Sequence, residues 1–159
     1  MRKHKSNALL GSFGALLGAC LGSAVYYMVT KLGFVAVISS LAGTLASLLL
    51  YSFFGRRLTA FGIALSILLN VAALFLTDTY IIADRFVESS ANLTLGYDLP
   101  YVMHLKLQEL LRGEAWADYK YALFSLGFTL FGGLAAGFRI LDDQRRSEEA
   151  AQRVRQKEE

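Results

Sequence analysis

The residues of this chain that could do chemistry are few. His4 and His104 are its two histidines and Cys20 its one cysteine. Asp98, His104 and Glu109 share one short segment and could bring two carboxylates to an imidazole. No further histidine or cysteine stands at a spacing that would complete a metal shell or a catalytic triad. Such a trio arises often by chance in a polar linker, so no catalytic residue, cofactor or metal is expected, and the chain reads as a non-enzyme. A lone cysteine supplies neither a structural disulfide nor a dithiol pair within one chain. Leu16-Leu17-Gly18-Ala19-Cys20 resembles a bacterial lipobox, and Arg2, Lys3, His4 and Lys5 resemble the basic start of a signal peptide. Apolar sequence nevertheless runs on past Cys20 to Tyr26 and Tyr27, where a cleaved precursor would turn polar, so a membrane span is the better reading.

The remaining chemistry lies on a polar stripe. Thr59, Gly62, Ser66, Asn70, Ala73 and Thr77 recur at helical spacing in an otherwise apolar run. Ser66, Asn70 and Thr77 are the candidates for a polar crevice. Asn70, near the middle of the run, is expected first to hydrogen-bond a facing helix, with a wet crevice or a ligand contact as the alternative. Asp78, beside Thr79 and Tyr80, is expected at the interface, where water reaches it. No ionised side chain is then expected deep in a span, which disfavours an ion-coupled mechanism.

Four apolar stretches must position these residues: about 8–29, 34–54, 58–79 and 121–139. Each holds roughly the 20 residues that a helix needs to cross a hydrocarbon core about 30 Å thick. With 55% hydrophobic and 18% charged residues, the chain is too apolar for a soluble monomer. The expected fold is all-α: a polytopic membrane protein with four transmembrane helices, residues 1–141 forming the membrane domain and 142–159 a charged tail. Gly14, Gly18 and Gly22 recur every four residues in the first stretch, Ser39, Gly43 and Ser47 in the second, and Ser125, Thr129, Gly133 and Gly137 in the fourth. Such faces let backbones approach closely, and these are expected to meet one another within the monomer, a homodimer seam through the first span being the alternative.

Orientation follows from lysine and arginine. Arg2, Lys3 and Lys5, then Arg56 and Arg57, then Arg139, Arg145, Arg146, Arg153, Arg155 and Lys157 mark the cytoplasmic side, which puts both termini inside and the 80–120 linker outside. Tyr26, Tyr27, Tyr80, Trp116, Tyr119 and Tyr121 would form an outer aromatic belt; Tyr51, Phe53, Phe54 and Phe138 would lie near the inner one.

In the linker, the third helix is expected to continue through Ile81 to Glu88 before Ser89, Ser90, Ala91 and Asn92 break it. A short amphipathic helix is expected from Asp98, its cap, past Pro100 to Gly113. Met103, Leu107, Leu110 and Leu111 would form its apolar face, with Val102 and Leu105 spoiling the pattern. Asn92-Leu93-Thr94 fits the glycosylation acceptor pattern, which matters only in a eukaryotic secretory pathway. The tail carries opposite charges four apart at Asp142/Arg146, Arg145/Glu149 and Glu149/Arg153, as in a solvated helix extending the fourth span. The net charge of +3 comes from membrane-flanking positives, not from a basic groove, so nucleic acid is not an expected partner.

The glycine-stepped first span, the Tyr26-Tyr27 end, the short Lys31 to Phe34 turn, and Tyr51 through Gly55-Arg56-Arg57 resemble small uncharacterised four-helix integral membrane proteins of Gram-positive bacteria. The resemblance implies a plasma-membrane location and this topology, and carries no activity with it. The expected function is a noncatalytic scaffold or accessory subunit of a membrane complex. Its partners would be the lipid bilayer and another membrane protein or a second copy. The alternative is a small transporter or channel-like protein working through the third-helix polar face.

Overall fold

A computed structural model describes residues 7–32, 37–91, 98–114 and 119–158, and these are helical almost throughout. The elements are α1 (Ala8–Lys31), α2 (Val37–Gly55), α3 (Ala60–Ala91), α4 (Leu99–Arg112) and α5 (Lys120–Glu158). All but α4 are long and apolar enough to cross a membrane. The basic N-terminus, the 33–36 turn, the Asn92-Leu93-Thr94 motif and Trp116 lie outside the described residues.

Two helices outrun the expected spans. At 1.5 Å per residue, the 32 residues of α3 reach about 48 Å and the 39 of α5 about 58 Å, well beyond a hydrocarbon core of roughly 30 Å. Hydropathy marks the membrane-length part of a helix and not its ends. Asp84, Arg85 and Glu88 stop the apolar run without stopping the helix, and α3 continues through Ser89 to Ala91.

Local chemistry sets the ends that are described. At the α2–α3 turn, Arg56 adopts a left-handed conformation (φ 63°). Thr59 then caps α3, its side chain accepting from Gly62 N–H at 3.1 Å while its carbonyl accepts from Ile63 N–H. Thr59, the first residue of the polar stripe, is thus the cap of α3. Gly113, left-handed at φ 80°, ends α4, and its N–H and that of Glu114 donate to the carbonyls of Leu110 and Glu109. Asp98 occupies the N-cap position with extended backbone, but its side chain makes no capping hydrogen bond.

The arrangement is a bundle in which α2 and α3 form the central pair, α1 and α5 each lie against both, and α4 rests on α3. Its polarity is inverted relative to a water-soluble domain. Ser40, Thr44, Ser47, Ser66, Asn70 and Thr129 are buried, whereas Leu9, Ile38, Phe53, Leu68, Phe131 and Phe138 are exposed. An apolar exterior of this extent is a liability in water and the natural surface of a helix bundle in lipid.

α4 keeps part of the expected face, with Leu110 buried and Met103 and Leu107 half-buried, but its docking stripe is shifted. Val102 and Leu110 are buried, Lys106 lies between them with its ammonium 5.9 Å from the Phe86 ring, and Leu111 is exposed. Val102 belongs to the buried stripe and does not interrupt it, because α4 docks on α3 along a narrow 102/106/110 stripe and not along its widest apolar arc.

Candidate functional site

The small-residue stripes of α1 and α2 meet in antiparallel register. A Cβ placed on Gly22 would lie 2.5 Å from Gly43 Cα, and one on Gly18 or Gly14 would run into the backbone of Ser47 or Leu50. These approaches are closed to any larger residue. On the other side of α2, a Cβ on Gly133 would meet Thr44 and Ile67, and one on Gly137 would meet Ile63. Ser39 is buried on the same helix. Gly14, Gly18, Gly22, Gly43, Ser47, Gly133 and Gly137 therefore contact neighbouring helices of their own chain.

Asn70 enters where α1 and α2 are closest. Its Nδ2 has three acceptors within reach: Ser47 Oγ at 2.7 Å, Ser66 O at 3.2 Å and Gly43 O at 3.3 Å. An amide has two hydrogens to share among them. Its Oδ1 faces the opposite way, 3.0 Å from where a Gly43 Cβ would stand and 3.4 Å from a Gly22 Cβ. Ser47 Oγ in turn donates to Ala15 O at 3.0 Å, so one polar chain crosses α3, α2 and α1. Ser66 is fully buried one turn away. Thr77, on the same stripe two turns farther along, is only half-buried; its hydroxyl donates to Ala73 O, and it lines a separate groove between α1 and α3. Ser66 and Asn70 are sealed from that groove, so the three residues do not form one crevice.

A second polar cluster was not anticipated from sequence. Asp78, expected at the interface, is only 6% exposed, and its Oδ1 accepts from Tyr26 Oη at 3.0 Å. Ser125 of α5 comes up beside Tyr26, although the two hydroxyls make no well-formed hydrogen bond. Ser125 and Thr129, one turn apart and buried, have no hydrogen-bond partner for their hydroxyls among the described residues. Ser40 Oγ donates to Ser125 O at 3.4 Å, and Thr79 shares a 3.0 Å hydrogen bond with Tyr119.

Three belt tyrosines are accordingly interior. Tyr26 and Tyr119 are buried in polar contacts, while the Tyr51 ring fills the space left by Gly11 and Gly62 and its hydroxyl meets Thr59 at 3.3 Å. The legible signal was size complementarity, a large ring between two glycines. Hydropathy alone treats all tyrosines alike.

The linker trio does not converge. His104 and Gln108 are exposed and paired at 2.9 Å, Glu109 turns to Lys106 at 2.8 Å, and Asp98 is exposed at the head of α4. Cys20 is exposed on α1. No protein-family model, curated protein or solved structure matches this chain.

Proposed function

We propose that the protein is a noncatalytic scaffold or accessory subunit of a bacterial plasma-membrane complex. In this reading it crosses the bilayer four times, both termini are cytoplasmic, and α4 lies on the outer side. The observation that carries it is the Ser47–Asn70 node: these two buried side chains are engaged in hydrogen bonds that tie three helices together. The glycine faces are likewise spent within the chain, so a partner is met elsewhere. α5 offers the clearest surface, because it continues past the bundle as a charged helix. That helix is rooted by Arg57–Glu148 at 2.8 Å and by Gln144 donating to Ser52 at 3.1 Å, while residues 145–153 are exposed. Truncation after Leu141 tests this: the shortened protein should insert and fold yet lose its co-purifying subunit. Retention of the same subunit at the same ratio would remove the tail from the account.

One observation favours a second reading, a small transporter. Asp78 is an ionisable residue buried between membrane-length helices, bonded to Tyr26, which Ser125 adjoins, and such residues mark substrate and ion pathways in many bundles. Flux into proteoliposomes that Asp78→Asn abolishes would establish it. Tight vesicles with wild-type protein and no flux would leave the accessory reading standing.

A further inference from the structure

A groove of about 470 Å³ runs between α1 and α3 at the end of the bundle that carries α4. Ala24 and Tyr27 form one wall, Leu76, Thr77 and Tyr80 the other, and Met103 reaches it from α4. The Tyr27 and Tyr80 rings meet edge to face at 5.7 Å. One turn beyond Tyr27, Lys31 sets its ammonium 5.9 Å from that ring and pairs with Asp84 at 2.5 Å and Glu88 at 3.6 Å. All three charged side chains stay partly open to solvent.

We propose that this groove binds one phospholipid with a zwitterionic headgroup bearing a primary ammonium, of the phosphoethanolamine type. The inference rests on the membrane-spanning reading of α1 and α3. In a bilayer, a largely apolar groove between two spans is filled by an acyl chain, because nothing else at that depth can wet it. Tyrosines at its upper end suit the headgroup level, where an aromatic ring with one polar edge is favoured.

The charges then select the headgroup. One ammonium between two carboxylates is locally net negative, which repels an anionic headgroup and leaves room for a second cation. Lys31 faces the lipid phosphate, and the lipid ammonium replaces or shares the Lys31 contact with Asp84 and Glu88. A primary ammonium has three N–H donors for two carboxylates, whereas a quaternary choline has none. The site therefore discriminates ethanolamine from choline by hydrogen bonding and from glycerol phosphate by charge.

The test uses the full chain reconstituted into nanodiscs of phosphatidylethanolamine, phosphatidylcholine and phosphatidylglycerol in equal parts, followed by release into mild detergent and native mass spectrometry. One retained lipid per chain is expected, with ethanolamine lipid enriched about tenfold over choline lipid. Asp84→Asn with Glu88→Gln should retain a lipid but lose that preference, and Ala24→Trp should cut retention by filling the groove. No retained lipid, an equal mixture, or a preference that survives the charge-neutralised variant overturns the proposal. The wild-type result decides even if a variant fails to fold. A chain that does not insert into the bilayer at all refutes the membrane reading itself, whereas an inserted chain without a retained lipid refutes the lipid site alone.

Discussion

Asn70 Nδ2 donates to Ser47 Oγ at 2.7 Å, and Ser47 passes the chain on to the carbonyl of Ala15. A single side chain on α3 thereby ties α2 and α1 together at the point where Gly22 and Gly43 bring their backbones closest. Asn70→Leu removes the donor and puts branched carbon where Oδ1 now sits against two glycine backbones. The expected loss is about 0.6–2 kcal/mol for the hydrogen bond alone, with overpacking adding to it. Thermal unfolding in detergent reads it. A variant as stable as the wild type but biologically inactive would instead make Asn70 a functional site.

The glycines are not equivalent, and the difference is measurable. A Cβ at Gly22 would lie 2.5 Å from Gly43 Cα, whereas one at Gly127 meets nothing within 4 Å. Gly22→Ala must therefore spread α1 from α2 and lower the melting temperature clearly. Gly127→Ala should be neutral or stabilising by up to about 1 kcal/mol, since alanine costs less conformational entropy in a helix than glycine. Equal effects at the two sites would mean that α1 and α2 are not packed in this register.

The Tyr26–Asp78 hydrogen bond makes a two-step prediction. Tyr26→Phe removes one hydrogen-bond donor from a buried carboxylate, at a cost of about 1–3 kcal/mol. Tyr26→Phe combined with Asp78→Asn should recover part of that loss, because a neutral amide is cheaper to bury than a carboxylate. A double-mutant cycle in chemical unfolding checks the coupling. Strict additivity would show that the two side chains do not act together.

Surface ion pairs at the tail should matter little for stability. Arg57 and Glu148 pair at 2.8 Å, but both side chains are about half exposed. Glu148→Ala should shift stability by less than about 1 kcal/mol, and by less still at high salt. A large loss would reveal that the α5 extension is part of the folded core.

Much of the fold was legible because long apolar runs and small-residue steps are simple signals. Runs of about 20 apolar residues name the membrane-length helices, and the four-residue steps of Gly14, Gly18 and Gly22 and of Ser39, Gly43 and Ser47 name faces that lie against other helices. Depth was less legible. Asp78 and Tyr26 looked interfacial because each stands near the end of an apolar run, but burial depends on which residues of other helices stand opposite, and hydropathy does not encode that. The α4 face was legible in part for a related reason: Leu110 is buried as its spacing predicts, but the burial of Val102 depends on how α4 docks on α3, which the periodicity of α4 alone does not encode. The partition of the polar stripe, with Ser66 and Asn70 sealed and Thr77 open to the groove, likewise depends on how α1 lies against α3 and not on the stripe itself.

We propose that this chain works as a noncatalytic member of a larger membrane assembly. The most direct test of this proposal is the mass and composition of the complex extracted into native nanodiscs at natural expression. A second polypeptide in fixed ratio to this chain is the predicted result; a homo-oligomer or a lone monomer would contradict it and bring the Asp78 cluster forward as a transport site.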